Sequence, residues 1–234
     1  MQLVVSDFQD QLVRGLSHRM NNILSLFHGY LGLLMEDAKL DTIAKEGLKK
    51  IREGARAATD LMERTNAVSR PACSVEREVS IAGLLRQLAP SFDGLHGPKI
   101  RLSVECPEDM PRISADPSRL RLVLTELVRN ACEAARAKVA LRVSTAADGD
   151  TAEQGLRIEV TDDGNGIRAS DAKRIYQPFF STKKKPVCAG LGLAVALGCA
   201  QQFGGSLTHR SRKGETTFEL FLPIRTHQPL GAVA

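Results

Sequence analysis

The chain has 234 residues, 43% hydrophobic and 25% charged, with 32 Lys and Arg against 27 Asp and Glu for a net charge of +5. That balance fits two modest globular domains and argues against a disordered chain or one with a membrane span, because no apolar run approaches bilayer length. The small basic excess is spread along the chain rather than interleaved with aromatics, and tryptophan is absent, which argues against nucleic acid as a partner.

Residues 6–69 read as two long helices. In the first, Phe8, Leu12, Leu16, Met20, Ile23, Phe27, Tyr30 and Leu34 recur every three or four residues; in the second, Ile43, Leu48, Ile51, Ala55, Ala58, Leu61, Met62 and Thr65 do the same. Asp41 is placed to cap the second helix. A two-helix hairpin cannot enclose a core alone, so residues 1–70 are expected to form a four-helix bundle with a second copy, making a homodimer. Residues 71–79 open with Pro71 and read as a linker.

Beyond the linker the pattern alternates. Ile81–Leu88 reads as a helix, Ile100–Cys106 as a strand and Pro117–Ala137 as a long helix with proline in its first turn. Val139–Ser144 and Leu156–Thr161 read as neighbouring strands joined by a turn at Asp148 and Gly149. A short helix at Asp171–Tyr176, a helix at Leu191–Phe203 and strands at Ser206–Arg210 and Thr216–Leu222 follow. The fold class is α+β, with residues 80–225 an α/β sandwich of mixed sheet and helices on one face, and 226–234 a tail. Cys73, Cys106, Cys132, Cys188 and Cys199 lack metal-ligand spacing, which suits small core residues in a reduced cytoplasmic compartment.

Four segments of the second region carry chemistry. In LTELVRNACEAA, Glu126 and Asn130 share one helix face, where a carboxylate and an amide oxygen can hold a hydrated Mg²⁺ and place a proton acceptor near phosphates. In VTDDGNGI, Gly164 and Gly166 allow a tight turn while Asp162 can accept from an exocyclic amine. YQPFFSTK leads to Lys183, Lys184 and Lys185, and the glycines of AGLGLAVA open a helix whose first amides suit a triphosphate. Each segment alone has a plain structural reading: a solvated helix face, a hairpin turn, a helix start.

Together and in this order they resemble the ATP-binding domain shared by histidine kinases, gyrase-type ATPases, the ninety-kilodalton heat-shock chaperone and mismatch-repair ATPases, over about Pro71 to Pro223 including GETTFELFLP. The resemblance implies adenine against Asp162, Gly164 and Gly166, Mg²⁺ on Asn130, and the phosphates under a lid between Phe180 and Gly190, with Ile167, Phe180, Lys183, Gly190, Leu191, Gly192 and Leu193 also among the nucleotide-binding residues. Cys188 stands where such families often have a further lid glycine.

LSHRMNNILSLFHGYLGLL resembles the histidine box of the dimerisation and phosphotransfer hairpin, which implies His18 as the phosphoacceptor; imidazole is nucleophilic near neutral pH. His28 lacks the flanking pattern and reads as a packing or surface histidine. Arg19 stands where an acidic residue is usual and Ile23 where proline often lies, as in a minority class with His-Arg and a following Asn. Glu126 then becomes the candidate general base, and Asn22, one turn beyond His18, the candidate for positioning water in dephosphorylation. The implied function is an ATP-dependent histidine kinase passing phosphate to an aspartate of a response-regulator receiver domain. The competing reading is a histidine phosphotransfer or scaffold protein with a degenerate ATP domain.

Overall fold

The computed structural model describes residues 2–36, 40–68, 76–147, 153–183 and 190–224, without the side chains of residues 2–18, 60 and 65–68. The chain divides into two compact units, one helical and one built around a sheet. The expected turn at Asp148 and Gly149, the tail at 226–234, and Cys73, Cys188, Lys184 and Lys185 lie outside the described residues.

The helical unit is a hairpin of α1 (Gln2–Met35) and α2 (Thr42–Val68). The carboxylate of Asp41 accepts from the amide of Ala44 at 2.7 Å, the expected cap. The seam between the helices is Leu24, Leu31 and Ala55, with Leu48, Ala58 and Met62 packed against them. The seam is not the stripe read from the sequence: every residue of that stripe with a described side chain, Met20, Ile23, Phe27, Tyr30 and Leu34, remains exposed, Phe27 and Tyr30 at 52% and 66%, as do Leu26 and Leu33 beside them. The hairpin thus buries one apolar line and leaves a second open.

The sheet-based unit begins with β1 (Arg77–Val79), which corrects the linker reading at those residues: they pair antiparallel with β3 (Ile113–Ala115), a two-stranded sheet that segments of three residues cannot announce. Between them lie α3 (Ile81–Asp93), capped by Ser80 through the amide of Gly83 at 3.3 Å, and β2 (Arg101–Glu105). Then come α4 (Pro117–Ala134), β4 (Lys138–Ala147), β5 (Gln154–Asp162), α5 (Gly192–Gln202), β6 (Ser206–Arg212) and β7 (Glu215–Pro223). Asp116 caps α4 by accepting from Ser118 and Arg119 at 2.8 and 3.3 Å, and Pro117 follows where its missing amide costs nothing.

The main sheet runs β2-β4-β5-β7-β6, parallel only between β2 and β4. Alternate residues of its inner face, Val139, Leu141, Ile158, Val160, Phe218 and Leu220, are buried. The helices present Leu120, Val123, Leu124, Leu127, Val195 and Ala196, also buried. Each large aliphatic side chain removed from water in this layer contributes about 1.5–3 kcal/mol. The other face is charged, with Arg142–Glu105 at 2.8 Å and Arg210–Glu159 at 2.6 Å, so the helices cover one face alone. Residues 171–176 form successive hydrogen-bonded turns rather than the expected short helix, because three-residue bonds such as Arg174 to Asp171 interrupt the four-residue ladder.

Candidate active site

α4 spans the candidate site. At Glu126, only 3% exposed, the carboxylate divides its oxygens: Arg129 donates to Oε1 at 3.2 Å, while Oε2 lies so close to Gly192 that a Cβ there would approach it to 2.5 Å. Gly192 is the first residue of α5, and Leu191 before it provides no side-chain cap, so the first-turn amides of α5 meet the Glu126 end of α4. Two turns on, at the other end of α4, the carbonyl of Ala134 lies against Gly164 in the loop after β5. Asn130, half-buried, sits midway, so the carboxylate, the amide and the β5 loop lie along about 12 Å of helix.

The loop after β5 is pinned by its own aspartates. Asp162, 2% exposed, accepts from the amide of Gly164 at 2.9 Å through Oδ1. Asp163 accepts from the amides of Arg136 and Ala137 at 2.8 and 3.0 Å, tying the exit of α4 to the end of β5. Those amides, Ala137 foremost, hold its carboxyl below the usual range. Gly166 has φ +81° beside the carbonyl of Arg212, a conformation and a closeness that only glycine tolerates. Ile167 follows, half-buried, its amide donating to Ser211 Oγ at 2.8 Å.

The approach to α5 is shaped by Gly190, whose φ of +63° lets its Cα rest on the backbone of Phe179 and Phe180. Leu191 is buried, while Gly192, Leu193, Phe180 and Lys183 are half-buried. The lid expected between Phe180 and Gly190 lies mostly outside the described residues. Among the described residues no group of three His, Cys, Asp or Glu forms a metal cluster. A lone amide such as Asn130 fits a cation that keeps its waters and takes phosphate oxygens, which is how Mg²⁺ is bound in nucleotide sites.

In the helical unit Arg19 and Asn22 are exposed. His18 lies on α1, its side chain outside those described. His28 is half-buried with Nε2 3.3 Å from Thr59 Oγ1, and the Thr59 hydroxyl already donates to the Ala55 carbonyl at 3.1 Å. The imidazole is therefore the donor, a histidine engaged in the hairpin seam. Of the cysteines, Cys132 and Cys199 are buried and burial pushes both thiols up, Cys199 to about 11.

Sequence reasoning did not foresee that Arg129 shares Glu126, nor that Ser211 and Thr216 of the closing strands flank the site, joined at 3.1 Å. The Glu126–Arg129 spacing of three was a legible signal for the first.

Residues 115–226 match the family described as histidine kinase-, DNA gyrase B-, and HSP90-like ATPase. The chain is 28% identical to sensor kinase CckA of Brucella abortus over 91% of its length and 24% of that protein. It is 29% identical to sensor histidine kinase ZraS of Escherichia coli K12 over 91% of its length and 45% of that relative. It thus spans less than half of either protein. Among solved structures, full-length ShkA in complex with AMPPNP superposes with a TM-score of 0.71 at 27% identity, covering 92% of this chain and 47% of that one.

Proposed function

We propose that this chain is a histidine kinase catalytic core that binds ATP along α4, phosphorylates His18 and passes the phosphoryl group to an aspartate of a response-regulator receiver domain. The observation that carries the proposal is α4 itself, which brings a buried acid, a half-buried amide and the Asp162 loop into one line ending at the first amides of α5. A degenerate ATP domain would have no reason to keep all four. In this reading adenine rests against Asp162, Gly164, Gly166 and Ile167, and the phosphates lie toward Gly190, Leu191, Gly192, Leu193, Phe180 and Lys183. Asn130 would hold Mg²⁺, which supplies charge neutralisation of the phosphates when bound. The protein aligns donor and acceptor: the P–O bond to ADP breaks, the N–P bond to imidazole forms, and the ring proton passes to a base, for which Glu126 is the candidate. Asn22, exposed one turn beyond His18, is the candidate for orienting water when the partner is dephosphorylated. Incubation with γ-labelled ATP tests the whole reading: the label should be acid-labile and base-stable, and its absence overturns it.

The partner reading draws on charge. Lys45, Lys49, Arg52 and Arg56 recur along one face of α2, a basic ridge suited to an acidic, aspartate-bearing domain. The homodimer draws on the exposed line from Met20 through Leu34. In solution the chain is expected at twice its 25.4 kDa mass by light scattering, with Phe27→Glu shifting it to monomer. A wild-type monomer at micromolar concentration overturns the bundle.

Asp162→Asn is expected to weaken ATP binding by about 1.5–3 kcal/mol, read by calorimetry, because an amide turns one of two acceptors into a donor facing the exocyclic amine. The Gly164 amide keeps its acceptor, so the fold survives. Unchanged affinity removes Asp162 from the adenine site.

A further inference from the structure

Residues 166–180 follow the Asp162 loop with no helix or strand of their own, and the backbone of Phe179 and Phe180 lies against Gly190, two residues before α5. Within the segment the bonds are local: Asp171 and Ala172 to Arg168, Arg174 and Ile175 to Asp171, Gln177 to Arg174, Phe180 to Gln177. The Arg174 guanidinium lies over the Phe180 ring, 4.4 Å from its centroid. Among the described residues two hydrogen bonds tie the segment to the sheet, and both are to β6. At one end Ile167 donates to Ser211 Oγ. At the other Tyr176 Oη lies 3.0 Å from His209 Nδ1, and the His209 ring rests 6.0 Å from that of Phe218 on β7. The first contact adjoins Gly166 on the Asp162 side; the second lies three residues before Phe179, whose backbone supports Gly190.

We propose that Tyr176 and His209 are positioning residues for the phosphate end of the nucleotide site: their hydrogen bond fixes Phe179, Phe180 and Gly190 against β6 and so sets where α5 begins. The proposal rests on the reading of this unit as an ATP site. Two turns of local hydrogen bonds do not fix a segment relative to a sheet, so without the second bond the segment would keep a hydrogen bond to β6 at its Ile167 end alone. The Phe179 backbone, at φ +66° in a 74% exposed residue, is a conformation that needs such support. Burial pushes the Tyr176 hydroxyl up to about 12 and the His209 imidazole down, so near neutral pH both partners stay uncharged and the bond is made between neutral groups. The two shifts have burial as their cause, with no carboxylate or cation contributing. The bond belongs to the segment's hold on the sheet and not to contact with the ligand, which makes these residues separable from the catalytic set.

The test compares Tyr176→Phe, His209→Val and His209→Gln with wild type, measuring affinity for ATP and for AMP and amide hydrogen exchange over residues 168–180. Tyr176→Phe and His209→Val should weaken ATP by about three- to tenfold, as the loss of one modest hydrogen bond would, and leave AMP unchanged. Exchange at Phe179 and Phe180 should rise in both. His209→Gln, which can still bond the tyrosine hydroxyl, should restore most of the ATP affinity. Equal losses for ATP and AMP, or wild-type affinity and exchange in Tyr176→Phe, overturn the proposal. Should Tyr176→Phe fail to fold, the contrast between His209→Gln and His209→Val decides, and no difference between them overturns it. A wild type without ATP affinity defeats the nucleotide reading instead, and unchanged exchange in Tyr176→Phe then defeats this one separately.

Discussion

His18→Gln is expected to abolish acid-labile labelling from γ-labelled ATP while leaving ATP affinity unchanged. An acid-labile, base-stable phosphoryl group is one carried on nitrogen, and forming it needs a nucleophilic ring nitrogen, which imidazole supplies near neutral pH and a glutamine amide does not. The proposed nucleotide contacts belong to the sheet-based unit, built on its own buried layer of β4, β5, β7, α4 and α5, so a change on α1 is expected to leave them in place. Autoradiography after acid and base treatment, beside calorimetry with ATP, separates loss of the acceptor from loss of binding. Persisting acid-labile label in His18→Gln would move the acceptor to another histidine. His28 is the next candidate, but its imidazole already donates into the hairpin seam at Thr59, so freeing it for attack would cost that bond. A His18→Gln, His28→Gln double substitution would then settle between them.

The fold was legible where the pattern was long. Nine residues of β4 pair with nine of β5, and buried side chains recur at every second position from Val139 to Val143 and from Leu156 to Asp162, so period two was plain. The same holds for α4, whose cap at Asp116 and proline at the first position mark its start. What could not be read was pairing between short, distant pieces. β1 and β3 have three residues each and are separated by a helix and a strand, and nothing in REV or ISA names the other. In α1 the period gave one apolar stripe, whereas the helix carries two side by side; Leu24 and Leu31 face α2 while Phe27 and Tyr30 stay open. A 3.6-residue period marks an apolar side but not which part of it meets the partner helix.

The candidate site shows the same division. Glu126 and Asn130 share a face by helical spacing alone, and Asp162 with Gly164 and Gly166 announced a tight turn. Their meeting depends on packing: the Ala134 carbonyl against Gly164 and the Glu126 carboxylate against Gly192 join residues far apart in the chain. Such contacts follow from the sheet order β4-β5-β7-β6, which places α4 and α5 side by side, and no local pattern encodes it.

Glu126→Gln is expected to bind ATP normally and to phosphorylate His18 more slowly by a factor of roughly 10²–10⁴, the usual contribution of a positioned general base. With Arg19 following His18, α1 offers no carboxylate next to the acceptor, so the proton released from imidazole must find one elsewhere. Glu126 is suited because its two oxygens have different neighbours: Arg129 holds Oε1 at 3.2 Å, and Oε2 points toward the opening residue of α5. A glutamine is nearly the same size and keeps an oxygen for Arg129, so the packing of α4 on α5 should survive and only the proton acceptor is removed. Single-turnover labelling at saturating ATP measures the chemical step directly, and Glu126→Asp gives the control, with a carboxylate retained but drawn back by one methylene. Wild-type rates in Glu126→Gln at full ATP occupancy would place the base elsewhere. The pair with Arg129, three residues on in the same helix, would then be a structural brace within α4, costly to break on one side because the remaining charge would be left uncompensated.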